Sequence, residues 1–325
     1  MDRGTEILQS ALNSSYLDAM LENFENIIDH GQVQVEDGLP KDDVVKKLQD
    51  IYSQLPIDQI TGETWRQLVQ LSFLKVIRKD AIQANHQMTP DTIGLLMAFL
   101  IEKVTAHQDI QTIFDPAVGT ANLLTTVMHQ LSLANHHQLT GFGIDNDDSM
   151  LAVASVNVEL QKLQVSLYHQ DAINALDIPQ CDLVVSDLPI GYYPLDKNVA
   201  NYQTRAEKGH SYVHHLLIEQ AMNYLQPGGF GVFLVPSDLF QTKESQSFVK
   251  WIQSVAYLQG LINLPSELFA NKNAQKSILL LQRHGGKSQQ AVKVLLGEFP
   301  SFKDRTKFAA FMQEINQWVA TNIVK

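Results

Sequence analysis

Residues 111–124 read Gln111-Thr112-Ile113-Phe114-Asp115-Pro116-Ala117-Val118-Gly119-Thr120-Ala121-Asn122-Leu123-Leu124. A short apolar run, Gln111–Phe114, meets a tight turn that opens a helix, the first half of a βαβ unit, and this sets the class as α/β. Gly119 lets the backbone approach a ligand closely, and exposed amides at a helix start can hold a polar group. The turn is not the G-x-G-x-x-G of nicotinamide enzymes, because the first and third glycines are absent. Nor is it a phosphate loop, because no Gly-Lys-Ser/Thr follows.

Further short apolar runs follow at Thr140–Ile144, Val165–His169, Cys181–Ser186, Phe230–Val235, Leu258–Leu264 and Lys276–Arg283. Seven strands, the first five alternating with helices, predict a doubly wound, Rossmann-like sheet over residues 86–285, with ligands at the carboxyl ends of its strands. Residues 1–85 carry apolar residues at helical spacing over Thr5–His30, Lys41–Leu55 and Thr64–Ala81, which predicts a three-helix bundle. Residues 286–325 supply one more strand, Ala291–Leu296, and an amphipathic helix, Asp304–Val324, with Phe308, Phe311, Met312, Ile315, Trp318 and Val319 on one side.

Carboxylates stand at four successive strand ends: Asp115; Asp145, in Gly143-Ile144-Asp145-Asn146-Asp147; Asp171, in Gln170-Asp171-Ala172; and Asp187, in Ser186-Asp187-Leu188-Pro189-Ile190-Gly191-Tyr192-Tyr193. Any one of them alone reads as a helix cap or turn former. Four in register describe a cleft suited to a cationic, ribose-containing ligand and not to a polyphosphate, since a carboxylate accepts from both hydroxyls of a ribose diol. S-adenosylmethionine, with its sulfonium, ribose diol and adenine amine, has that chemistry.

The chain resembles the class I S-adenosylmethionine-dependent methyltransferases, and among them the N6-adenine DNA methyltransferases akin to type I restriction modification subunits. The resemblance covers roughly residues 85–283. Gln87-Met88-Thr89-Pro90 is similar to the motif that contacts the methionine end of the cofactor, and Asp115-Pro116-Ala117-Val118-Gly119-Thr120 to the D-P-x-x-G-x-G loop, with Ala121 where the family has glycine. The resemblance implies that Thr89, Pro90, Asp115, Pro116, Ala117 and Gly119 bind cofactor, that Asp145 and Asn146 hold the ribose, that Asp171 and Ala172 read the adenine, and that Asp187 borders the cofactor as well as the acceptor. Gln226-Pro227-Gly228-Gly229, Pro236-Ser237-Asp238-Leu239-Phe240 and Leu264-Pro265-Ser266-Glu267-Leu268-Phe269 resemble later segments of modification subunits.

The family's catalytic motif is Asn/Asp-Pro-Pro-aromatic; here it reads Asp187-Leu188-Pro189-Ile190. An exocyclic amine is a poor nucleophile until acceptors hold its hydrogens, a task for the Asp187 side chain and the Leu188 carbonyl. Ile190 cannot stack on a flipped base, so Tyr192 or Tyr193 is expected to supply the ring. The resemblance therefore implies a methyltransferase acting on adenine N6 of DNA. An RNA, protein or small-molecule acceptor is the alternative, as is a non-catalytic regulator that binds the cofactor. With about forty residues after the seventh strand, a compact form without a target-recognition domain is expected.

Composition bounds the partners. The 325 residues carry a net charge of −11, distributed as −6 over residues 1–85, −11 over 86–240 and +6 over 241–325. Duplex affinity comes from Lys and Arg on phosphates, so a DNA contact is expected near Lys272, Lys276, Arg283 and Lys287; Lys197, Arg205 and Lys208 fall in the long loop after the catalytic strand, which reads either as solvated or, as the resemblance implies, as a segment that closes over substrate. The single cysteine, Cys181, excludes a disulfide framework and a cysteine-based zinc site, and reads as a buried structural residue. No signal or membrane-length apolar run is evident, so a soluble, cytoplasmic setting without a membrane partner is expected. His210, His214 and His215 lack a third ligand and read as packing or cleft lining, with no metal expected. Nothing in the sequence sets the oligomeric state.

Overall fold

The structure, a computed structural model, describes residues 1–80, 88–269 and 274–323. Expectations that touch Ala81, the boundary at 85/86, Gln87, Lys272 and Val324 lie outside the described residues. Strands β1 (Thr112–Asp115), β2 (Thr140–Asp145), β3 (Gln164–His169), β4 (Cys181–Asp187), β5 (Leu225–Pro236), β6 (Ala256–Asn263), β7 (Lys276–Arg283) and β8 (Leu295–Glu298) form one sheet in the order β3-β2-β1-β4-β5-β7-β6-β8. The first five are parallel, and the direction of winding reverses between β1 and β4. The carboxyl ends of these two strands are therefore where a ligand crevice belongs.

Three features differ from expectation. The strand expected at Ala291–Leu296 lies at Leu295–Glu298 and joins the seven others in one sheet, adding in parallel to the outer side of β6, where it pairs amides that would otherwise sit on an open edge. No helix separates β3 from β4; Asp171 accepts the Ile173 N–H at 3.0 Å to close a turn, and the chain then runs extended through Pro179 into β4. The expected helix Thr5–His30 is two helices, α1 (Asp2–Leu12) and α2 (Tyr16–Ile28). Asn13 ends α1 in the left-handed conformation, and the Ser15 hydroxyl caps α2 by accepting the Asp18 N–H, both local chemistries that outcompete continuous helix. With α3 (Asp42–Ser53) and α4 (Gly62–Lys79), the N-terminal unit has four helices.

The remaining helices are α5 (Asp91–Val104), α6 (Asn122–Asn135), α7 (Asp148–Leu160), α8 (Val213–Asn223), α9 (Ser245–Val255) and α10 (Arg305–Asn322). Alternation along the strands sends Ile113, Leu183 and Val185 to one face, against α5, α6 and α10, and Phe114 and Val184 to the other, against α8 and α9. α10 buries Ile315, Trp318 and Val319 as its pattern predicts. α7 is apolar on two sides: Leu151, Ala154 and Val158 join the sheet core, while Met150, Val153, Val156 and Leu160 complete the core of the N-terminal helices. A helix apolar around most of its circumference belongs inside a molecule, and α7 is the wall the two units share.

Candidate active site

Across the sheet the four carboxylates follow the order Asp171, Asp145, Asp115, Asp187, tracking β3, β2, β1 and β4. The Ser186 hydroxyl donates to Asp115 Oδ1 at 2.6 Å across the point of reversal, and the Ala117 N–H donates to the same oxygen at 3.0 Å. Asp115 is buried, and burial, with the neighbouring charges of Asp145 and Asp187, pushes its pKa up to about 7. It orders the turn from beneath; Pro116 is buried beside it and Ala117 half-buried.

Between about pH 4 and pH 7 the folded protein therefore holds a proton on Asp115 that the unfolded chain has released, and stability falls as pH rises across that window. Asn in place of Asp115 keeps an oxygen for both donors and carries no charge. D115N is expected to match the wild type in the acid range and to exceed it at pH 8, by at most about 4 kcal/mol from roughly 3 units at 1.36 kcal/mol each. Thermal melts at several pH values check this; a D115N advantage that does not change with pH would show that Asp115 ionises freely.

Above Asp115 the turn opens. Gly119 has a φ of 52°, and a Cβ there would meet no atom within 4 Å. Asp145 stands beside it, accepting the Gly119 N–H at 2.8 Å and the Asp147 N–H at 3.0 Å, one on each oxygen. Burial raises the Asp145 pKa. Each carboxylate oxygen has a second lone pair, so Asp145 can still accept from a diol lying over Gly119, and Asn146 is exposed at the rim. Ala121, where glycine is the family habit, holds a left-handed φ of 59° with its methyl fully buried. Asp171 is less open: the Tyr193 hydroxyl donates to it at 2.5 Å, and Ala172 beside it is buried.

Asp187 is gripped from two sides. The Thr89 hydroxyl donates to Oδ2 at 2.9 Å, and Lys276 forms an ion pair with Oδ1, with both charged side chains under 20% exposed (19% and 18%). Lys276 belongs to the site, not to a surface patch. β7 runs antiparallel to β5, so Lys276 at its start lies at the carboxyl end of β4. Arg283, seven residues on, donates to the Leu225 carbonyl at the far edge, with Lys287 beyond it. The expected basic cluster of Lys276, Arg283 and Lys287 is therefore split between two ends of the sheet. Leu188 is anchored by its N–H on the Leu234 carbonyl at 3.1 Å, and Pro189 is exposed after it.

Tyr193 is corrected as a stacking candidate: it is buried, its hydroxyl held by Asp171 and by the Asn198 amide at 3.1 Å. Tyr192 is the exposed ring, at 60%, stacked on Tyr212 with centroids 4.8 Å apart; Ile190, two residues before it, is 52% exposed. Tyr212 leads inward to His214 and His215, the latter stacked on Phe248 at 4.1 Å. Burial pushes these two imidazoles down to about 4 and about 3, so both are neutral packing groups near pH 7. His210 lies apart, on Asp196 at 3.0 Å. Among the described residues no group of three or more His, Cys, Asp or Glu side chains could hold a metal, and no helix is long and apolar enough to cross a membrane. Cys181 is fully buried, its thiol pushed up to about 12 by burial, too high for a nucleophile.

Comparison with known proteins places this geometry. The family described as N-6 DNA Methylase matches residues 73–320, and the family described as YtxK N-terminal helical domain matches residues 1–77. The chain is 35% identical to the uncharacterised protein YtxK of Bacillus subtilis (strain 168), over 96% of this chain and 93% of that one. It is 39% identical to a Listeria monocytogenes protein of known structure assigned to the class I S-adenosylmethionine-dependent methyltransferases. That match covers 98% of this chain and 96% of the other, with a TM-score of 0.89. The fold also matches the methyltransferase subunit of a type I restriction-modification system from Streptococcus thermophilus, at 14% identity and a TM-score of 0.68, over 96% of this chain and 73% of that one.

Proposed function

The chain belongs to the N-6 DNA methylase family, and from that premise we propose that it methylates an exocyclic amine held at Asp187, adenine N6 of DNA before any other acceptor. S-adenosylmethionine is the cofactor of this family and fold, and when bound it supplies an electrophilic methyl group on a sulfonium. The residues fit it. The open space over Gly119, beside the lone pairs of Asp145 and Asn146 at the rim, suits a ribose diol. Asp171 and Ala172 border the place for an adenine, and Thr89, Pro90, Asp115, Pro116 and Ala117 border the methionine end.

The observation that carries the proposal is the position of Asp187: a carboxylate at the end of β4, followed by the anchored Leu188, beside the crevice between β1 and β4. Its oxygen and the Leu188 carbonyl accept the two amine hydrogens, which localises the nitrogen lone pair toward the methyl group and orients it for in-line attack. Tyr192 and Tyr212 offer a stacked aromatic surface at the mouth, and stacking there contributes about 1–3 kcal/mol per base.

The test is titration calorimetry with S-adenosylmethionine, followed by incubation with labelled cofactor and unmethylated DNA. Label recovered in N6-methyladenine is the expected result. Cofactor binding with no label in DNA would remove DNA from the proposal, and an RNA, peptide and small-molecule screen would then look for the acceptor. A second reading, a cofactor-binding regulator without turnover, is favoured by the Lys276 ion pair, which occupies one oxygen of Asp187. Turnover of any acceptor that disappears in an Asp187 variant excludes it.

A further inference from the structure

Arg66 lies on α4, in the N-terminal helical unit, yet it is 1% exposed and among the largest fully buried side chains of the molecule. A guanidinium carries five N–H donors, and all five are matched here. Nε and Nη2 donate to the two Glu63 oxygens at 2.8 and 2.7 Å, Nη1 and Nη2 to the two Asp91 oxygens at 2.6 and 3.1 Å, and Nη1 also to Asn122 Oδ1 at 2.8 Å. Burial opposes its charge, but Glu63 and Asp91 outweigh that and hold it above the ordinary guanidinium range. The two carboxylates are held below theirs, both by the Arg66 hydrogen bonds, which in Asp91 overcome its burial.

The chain of contacts continues into the site. With its oxygen fixed by Arg66, Asn122 turns its amide to the segment that leads into α5, where Nδ2 donates to the Thr89 carbonyl at 2.8 Å and, more weakly, to Asp91 Oδ1 at 3.4 Å. The Thr89 hydroxyl donates to Asp187. Asp91, two residues after Thr89, starts α5. Arg66 thus fixes the segment that carries Thr89 from two directions, through Asp91 on the chain itself and through Asn122 at the start of α6.

We propose that Arg66 is a positioning residue by which the N-terminal helical unit sets Thr89, and through Thr89 the orientation of Asp187. The unit is therefore part of the active-site scaffold, and through Arg66 it supplies a side chain that ties α4, α5 and α6 together. The functional weight of this placement rests on Asp187 being the amine-holding group. The geometry of the link does not, and the experiment separates the two.

The full-length chain is compared with R66M, R66K, N122A, T89V and the R66M/T89V pair. In the cofactor-free protein, hydrogen–deuterium exchange is expected to rise in peptides spanning Thr89–Ile93 and Asp187–Ile190 in both R66M and N122A, with β2 and β3 unchanged. R66K is expected to behave as R66M, because one ammonium cannot serve both carboxylates and Asn122. If R66M does not fold, N122A, which leaves the Arg66 ion pairs in place, carries the test. Uptake unchanged at Thr89–Ile93, or raised evenly through β2 and β3, overturns the proposal.

Calorimetry with S-adenosylmethionine gives the second readout. R66M is expected to weaken binding about tenfold, within the usual range of coupling between linked sites, and R66M/T89V to bind no more weakly than T89V alone, the non-additivity of residues that act through one network. Losses of affinity that multiply overturn it. A wild type that does not bind S-adenosylmethionine overturns the proposed function instead, and the exchange arm still decides the role of Arg66.

Discussion

Alanine at position 187 is expected to cut methyl transfer by about 10²–10³-fold, the usual cost of removing one preorganised group that acts on the reacting centre. The Leu188 carbonyl is left as the single acceptor, and a singly held amine neither localises its lone pair nor lines up with the methyl group. Asn at the same position separates two demands. It keeps an acceptor oxygen for the amine and for the Thr89 hydroxyl but gives up the charge paired with Lys276. Retention of most activity in D187N would place the catalytic contribution in hydrogen-bond acceptance; a loss as large as in D187A would place it in the negative charge. Initial rates under saturating cofactor make the measurement, with calorimetry on both variants separating any loss of cofactor affinity from the loss of methyl transfer.

D145A is expected to weaken S-adenosylmethionine binding about 100-fold. Hydrogen bonds to a charged group contribute about 1.5–3 kcal/mol each, and a ribose diol offers two. The variant also leaves the Gly119 and Asp147 N–H groups without the acceptor that closes the turn, so part of the loss reflects a looser turn. D145N, which keeps one acceptor oxygen, is expected to fall between D145A and wild type. Calorimetry decides, and unchanged affinity in D145A would move the cofactor away from the end of β2.

Much of this was legible in the sequence because strand ends are local events. Asp115, Asp145 and Asp187 each close an apolar run, and the run, the carboxylate and the following turn sit within ten residues of one another. Gly119 announced itself through the same stretch. What failed to show were contacts made by distant segments. Lys276 meets Asp187 across 89 positions, because β7 inserts antiparallel between β5 and β6, and nothing in Gln275-Lys276-Ser277 marks it as a catalytic neighbour. Arg66 sits in an ordinary amphipathic helix, and only the fold reveals that its side chain points inward. Tyr192 and Tyr193 are adjacent and chemically alike; which one is buried depends on Asp171 and Asn198, which no spacing rule relates to them. The break between α1 and α2 was readable from Asn13-Ser14-Ser15, a capping signal overridden in the reading by the apolar periodicity on either side.

The wall formed by α7 limits how this protein can be divided. A segment cut out as residues 1–80 would carry away most of a core whose remaining wall, Met150, Val153, Val156 and Leu160, is threaded between β2 and β3. The helical unit is therefore not a portable cassette: transplanted to another chain it would bring an uncovered greasy seam, and the remainder left behind would expose its counterpart. Its inheritance is tied to that of the sheet, so a lineage that lost the helices would have to rebuild one side of α7 at the same time.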